Sequence, residues 1–169
     1  MERSETGRIV QIVDWIGAWI GDWPGAVFLR QSGTAYMFVN AAHILGLGLL
    51  LGAILPLDLR LIGFFRSVPL AVVGPFLSRA AATGVSLAVL TGLLLFSVKP
   101  SEYLANTAFL WKLTLLALAL GTIALQHSSH HFRLALERGE APVRVRILAS
   151  ISAVLWLSAL LAGRWIGFL

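Results

Sequence analysis

Beyond residue 34 the chain is a series of long apolar runs, broken by short clusters of arginine, proline and glycine. Crossing the hydrocarbon core of a bilayer takes about 20 predominantly apolar residues. Four runs reach that length: residues 35–57, 80–98, 107–126 and 147–168, the first able to continue past Pro56 into DLRLIGFF. The formal charges inside them are Lys112 and Arg164 alone. Membrane β-barrels need apolar and polar residues in alternation, whereas these runs are apolar all round. The pattern therefore predicts an all-α integral membrane bundle of four transmembrane helices over residues 33–169.

Residues 1–32 read differently. RIVQIVDWIGAWIGDWPGAVFLR mixes Asp14, Asp22 and Arg30 with Trp15, Trp19 and Trp23. Tryptophans at every fourth position line one helical face, and indoles favour the headgroup layer. This predicts an N-terminal interfacial amphipathic helix ending before Pro24. It lacks the charged start, clean apolar stretch and cleavage site of a secretory signal peptide.

Composition sharpens the picture. Hydrophobic residues make up 58% and charged residues 12%, with a mean hydropathy of +0.85; a soluble domain carries about 25% charge. A soluble enzyme, a disordered tail and a coiled coil are excluded. Cysteine is absent, which removes disulfide scaffolds, zinc ribbons and thiolate chemistry. The net charge is +5, without the aromatic-interleaved basic run that nucleic-acid binding needs, so the expected partner is the lipid bilayer. Arg60, Arg66, Arg79, Arg133, Arg138, Arg144 and Arg146 fall on the side of the two connecting loops. The other side has Lys99 in its connection and Arg3, Arg8 and Arg30 in the leading segment. By the positive-inside rule the loop side faces the cytoplasm of a bacterial inner membrane, and both termini lie outside.

Small residues mark two close-packing faces, Gly48 with Gly52 and Gly84 with Ala88 and Gly92. Polar residues in lipid are costly, and so informative. His43 lies roughly 9 Å below the outer boundary at 1.5 Å per residue, Asn40 is one turn before it, and Lys112 enters the third helix at similar depth. Arg164 ends the fourth helix on the same side. These four residues are the candidate cofactor-binding set: a neutral imidazole beside cations suits haem iron with its propionates, or a quinone or other acidic headgroup. Against this, a buried histidine can serve only an interhelical hydrogen bond, and Lys112 and Arg164 can snorkel into headgroups. A second set is His127, His130 and His131 in QHSSHHF, with Asp58 and Arg60 on the same side. If the helix continues through them, their imidazoles converge as candidate metal ligands.

The runs HILGLGLLLGAILPLDLRLIG (43–63), TGLLLFSVKPSEYLANTAFLWKLTLLALALGTIALQH (91–127) and the closing AGRWIGFL resemble an uncharacterised family of small bacterial four-helix membrane proteins. More distantly, an early first-helix histidine, His43, is similar to CopD-type copper-resistance proteins. That histidine with Leu59–Arg60 and a WKL third helix ending in His127 also resembles HemJ-type protoporphyrinogen oxidases. The latter resemblance implies haem b, with His43 as haem or substrate histidine and Lys112 as the third-helix lysine. The chain departs from that pattern in its Trp-rich leader and in lacking the oxidases' tyrosine and histidine at the loop-side end of helix one. Methionine, the soft Cu(I) ligand, occurs only at Met1 and Met37, which argues against copper transport. The expectation is a haem b-binding or redox-linked membrane module. The alternatives are a non-catalytic anchor or subunit of a larger complex, docking a redox partner, and a metal or small-solute permease.

Overall fold

A computed structural model describes residue 15 and residues 17–165. A helical stretch over 17–21 leads into seven helices: α1 (Pro24–Gln31), α2 (Gly33–Ile62), α3 (Leu70–Val98), α4 (Pro100–Ala105), α5 (Thr107–His127), α6 (His130–Arg138) and α7 (Val143–Trp165). There is no strand among the described residues. The chain is all-α, and α2, α3, α5 and α7 are long and apolar enough to cross a membrane, each with a mean hydropathy of 1.9–2.0 over its best window. At most 39% of any such window is buried inside the protein. The remaining apolar surface needs lipid to cover it.

Local chemistry sets the boundaries. Ser32 and Asn106 accept the Ala35 and Phe109 amides and so cap α2 and α5. Pro24 and Pro100 occupy first-turn positions, where a missing N–H costs nothing. The leading segment breaks at Asp22–Trp23, as the proline requires, but a second short helix, α1, then follows. The part of the predicted interfacial helix that precedes residue 15 lies outside the described residues. Two spans exceed the apolar runs. α2 passes Pro56 to Ile62, about 45 Å at 1.5 Å per residue, and α3 begins ten residues before Ala80, directly after Pro69. Hydropathy marks the hydrocarbon part of a helix, whereas hydrogen bonding carries the helix on until a breaker stops it.

The ends of α2 and α7 at which the chain enters and leaves form the terminal face; the α2–α3 and α5–α7 connections form the loop face. α2 and α3 pack backbone to backbone. A Cβ at Gly84 would stand 2.4 Å from Leu50 N, and one at Gly46 would stand 2.8 Å from Ala88 N. A Cβ at Gly48 or Gly52 would have nothing within 4 Å, so the expected first small-residue face is corrected: Gly46, two residues before that pair, makes the approach. α7 packs on both α2 and α5, whereas α3 and α5 meet mainly through side chains. Buried Trp156 fills the middle, among Leu50, Ala53, Ile54, Ala81 and Ala119. At the loop face Leu57, Leu61, Leu70, Phe132, Val145 and Ala149 form a second cluster.

The terminal face is rich in exposed aromatics: Trp15, Trp19, Trp23, Phe28, Trp111 and Trp165, as expected of a membrane–water boundary. Two of its cations are paired, Arg30 with Asp22 at 3.8 Å and Lys99 with Glu102 at 2.9 Å. The Glu102 carboxylate holds the Lys99 ammonium above its ordinary range. The pair is exposed, so Lys99→Gln is expected to leave the melting temperature in detergent unchanged.

Candidate functional site

His43 stands on α2 where α3 presents Thr91 and Gly92. Its Nδ1 is 3.0 Å from Thr91 Oγ1. The Thr91 hydroxyl donates to the Leu87 carbonyl at 2.6 Å, so its oxygen has lone pairs left for the imidazole. The network therefore assigns the ring proton to Nδ1 and leaves Nε2 as the basic nitrogen. The Ala88 carbonyl is a further acceptor beside the ring. Gly92 makes room: a Cβ there would lie 3.1 Å from His43 Cε1.

Lys112 comes from α5 and lies across Gly163 of α7, where a Cβ would sit 3.4 Å from its Cε and 3.6 Å from its Nζ. The half-buried ammonium is within electrostatic range of the imidazole. The structure thus brings His43 and Lys112 to one level of the terminal-side half. Arg164 follows Gly163 but is exposed and engaged in an interaction of its own. Asn40 is exposed one turn above His43; the hydrogen-bond partner is Thr91, from a helix that sequence spacing did not bring into the set. A mid-span threonine one residue before a glycine was the available signal.

Over this site α4 closes the α3–α5 end. Phe96 stacks on Phe109 at 5.6 Å, and Tyr103 lies 5.1 Å from Phe109 and 6.1 Å from Phe96. Burial first, and then neighbouring Tyr36, pushes the Tyr103 hydroxyl above its ordinary range, so it stays neutral. Two surface crevices lie elsewhere. One of about 370 Å³ is lined by Leu125, Val143, Arg144, Ile147 and Leu148, and one of about 550 Å³ by Trp19, Ile20, Asp22 and Trp23.

The second histidine set is not gathered. α5 ends at His127, and a new helix capped by Ser129 starts at His130, so the continuous helix on which convergence depended is absent. His127 Nδ1 lies 3.0 Å from the Ile123 carbonyl, so it donates there, and Nε2 accepts from Ser78 Oγ at 3.1 Å. Both its nitrogens are engaged. His131 Nδ1 is 3.5 Å from Ser129 Oγ, and His130 is exposed. No group of three His, Asp or Glu side chains placed to hold a metal occurs among the described residues. Asp58 and Arg60, taken with this set as loop-face residues, are instead buried.

Residues 18–169 match the model of a family of unknown function, DUF6644, and the chain belongs to that family. No curated protein and no solved structure matches it, so the CopD-type and HemJ-type resemblances gain no support from these comparisons.

Proposed function

We propose that this family member is a multi-pass membrane protein whose terminal-side half binds a ligand through the His43 imidazole and the Lys112 ammonium, with haem b as the leading ligand. One observation carries this reading: Thr91 fixes the Nδ1–H tautomer, leaving the Nε2 lone pair on a half-buried ring that shares its level with a cation for which no ion pair is found among the described residues. A ligating histidine is usually held in this way, its other nitrogen donating to a fixed acceptor that sets both orientation and basicity. The donor set fits a group offering one site for an imidazole nitrogen and an acidic arm for Lys112. Bound haem would supply one-electron chemistry. The chain's own residues orient the imidazole, hold the acidic arm, and exclude water beneath the Phe96–Tyr103–Phe109 cluster.

Orientation follows from charge. Arg66, Arg79, Arg133, Arg138, Arg144 and Arg146 are exposed at the loop face, while Arg30 and Lys99 at the other face sit beside carboxylates. The loop face is accordingly assigned to the cytoplasm and the ligand site to the outer leaflet of a bacterial inner membrane.

Pyridine-haemochrome analysis and the visible spectrum of the purified protein test the proposal. Haem should co-purify, or bind on adding haemin, with a Soret band lost in His43→Ala. Thr91→Val should weaken binding by about 10- to 100-fold. A protein that neither retains nor takes up haem in a His43-dependent way overturns the haem reading. If that colourless protein co-purifies with a redox complex, it is an anchor subunit.

A further inference from the structure

The loop face carries a crevice at the opposite end of the bundle from the His43 site. It lies between the end of α5 and the start of α7, encloses about 370 Å³, and is lined by Leu125, Val143, Arg144, Ile147 and Leu148. Small-molecule sites run from about 300 to 1,000 Å³. Leu125, Val143 and Ile147 are 63%, 69% and 54% exposed, and both flanking helices are apolar enough to cross a membrane. The crevice therefore opens toward lipid, and its occupant must offer hydrocarbon.

Arg144 is the one charged residue in this lining, and its position gives the crevice a polarity. Val143 with Ile147, and Arg144 with Leu148, are i,i+4 pairs stacked along one side of α7. Arg144 stands in the first turn of α7, and Leu148 lies about 6 Å deeper at 1.5 Å per residue. Helical side chains lean toward their own N-terminus, which carries the guanidinium outward, away from the hydrocarbon. A cation at the membrane boundary thus tops an apolar slot that descends between two spans. A phospholipid has the matching order, phosphate at the boundary and acyl chain below it.

Several charged groups at this end of the bundle are used by the protein itself. Asp58 stands beside Ser152, and Arg60 donates to the Arg66, Val68 and Gly139 carbonyls. Arg66 donates to the Gly63 carbonyl, and Arg146, two residues beyond Arg144, to the Ile62 carbonyl at 2.9 Å. The Arg144 side chain is exposed and makes no hydrogen bond or ion pair among the described residues. Exposed Glu137 and Glu140, close by in sequence, do not pair with it. The first turn of α7 holds no acidic residue, although the helix dipole favours negative charge there. The charge missing from this corner is an anion. A headgroup with its own ammonium would bring a further cation beside Arg144 and Arg146, whereas a net anionic one adds only the charge that is wanted.

We infer that this crevice binds one anionic phospholipid, with an acyl chain along Leu125, Val143, Ile147 and Leu148 and the headgroup phosphate on Arg144. Thermal melting of the full chain in detergent, with equal amounts of dioleoyl phosphatidylglycerol or dioleoyl phosphatidylcholine added, is the measurement. A ligand that binds only the folded state raises the melting temperature. Phosphatidylglycerol should raise it by about 3 °C more than phosphatidylcholine does. Arg144→Gln should remove that difference. Arg79→Gln, which deletes an equally exposed charge of the loop face outside the crevice, should keep it. Ile147→Trp, which fills the slot and leaves every charge in place, should remove it too. Glycerol 1-phosphate, a headgroup without chains, should leave melting unchanged. Equal melting in the two lipids overturns the site, whether any lipid or a second copy of the chain covers the crevice. A difference that survives in Arg144→Gln or Ile147→Trp overturns it, as does one lost equally in Arg79→Gln, which marks diffuse surface charge. Reproduction of the shift by glycerol 1-phosphate overturns it as well, since the acyl chain then contributes nothing.

Discussion

Gly84→Ala is expected to lower the melting temperature in detergent by about 6–12 °C, and Gly84→Leu to prevent α2 and α3 from packing at all. A Cβ at this position meets Leu50 N at 2.4 Å, Leu50 Cα at 2.8 Å and Gly46 O at 2.9 Å. All three are backbone atoms, so no rotamer change relieves the clash; the helices must separate. Overpacking of this kind costs about 3 kcal/mol, and one kcal/mol moves the midpoint of a domain this size by about 2–4 °C. Lipid supplies no hydrophobic drive to hold a separated pair together, since its tails are as apolar as leucine. Gly48→Ala and Gly52→Ala are the controls. Both positions face open space, so they should match the wild type or gain up to about 1 kcal/mol from helix propensity. If Gly84→Ala melts with the controls, close approach of α2 and α3 is not what holds the pair.

Arg60→Ala is expected to loosen the loop face, at a cost of about 2–4 kcal/mol. The guanidinium is 8% exposed. It donates from Nε to the Val68 carbonyl at 2.8 Å, and from Nη2 to the Arg66 and Gly139 carbonyls at 3.4 Å each. One side chain therefore ties the end of α2 to the connection before α3 and to the one between α6 and α7. Removing it strands three carbonyls beside the Leu57–Leu61–Leu70 cluster. Arg60→Lys should recover little, because a compact ammonium cannot span the directions that the planar fork reaches. Melting in detergent measures the loss, and limited proteolysis locates it: cleavage over residues 63–69 should accelerate while the terminal face stays protected. Unchanged proteolysis would show that these connections hold without the arginine.

The histidines show how far sequence reasoning reached the candidate site. Counting residues along two apolar runs places His43 and Lys112 at one depth, and the structure sets them within electrostatic range. Depth, however, is one coordinate of three. Arg164 has the right depth and is exposed, and Asn40 has the right spacing and takes no part in the contact made by Thr91. His127, His130 and His131 fall on two helices where one continuous helix was expected, because Ser128 and Ser129 end the first and cap the second. The buried status of Asp58 was not legible, because its place near a loop-face arginine reads as solvated.

The number of spans, their helical form and the aromatic terminal boundary were determined by the sequence, since each depends only on local composition and on backbone hydrogen bonds closed within a segment. Which residues meet was decided by the tertiary structure. Gly46 instead of Gly48, Thr91 as the partner of His43, and Asp58 beside Ser152 depend on the rotation of each helix about its own axis. That rotation is fixed by packing against neighbours, and in runs that are apolar all round no polar face announces it.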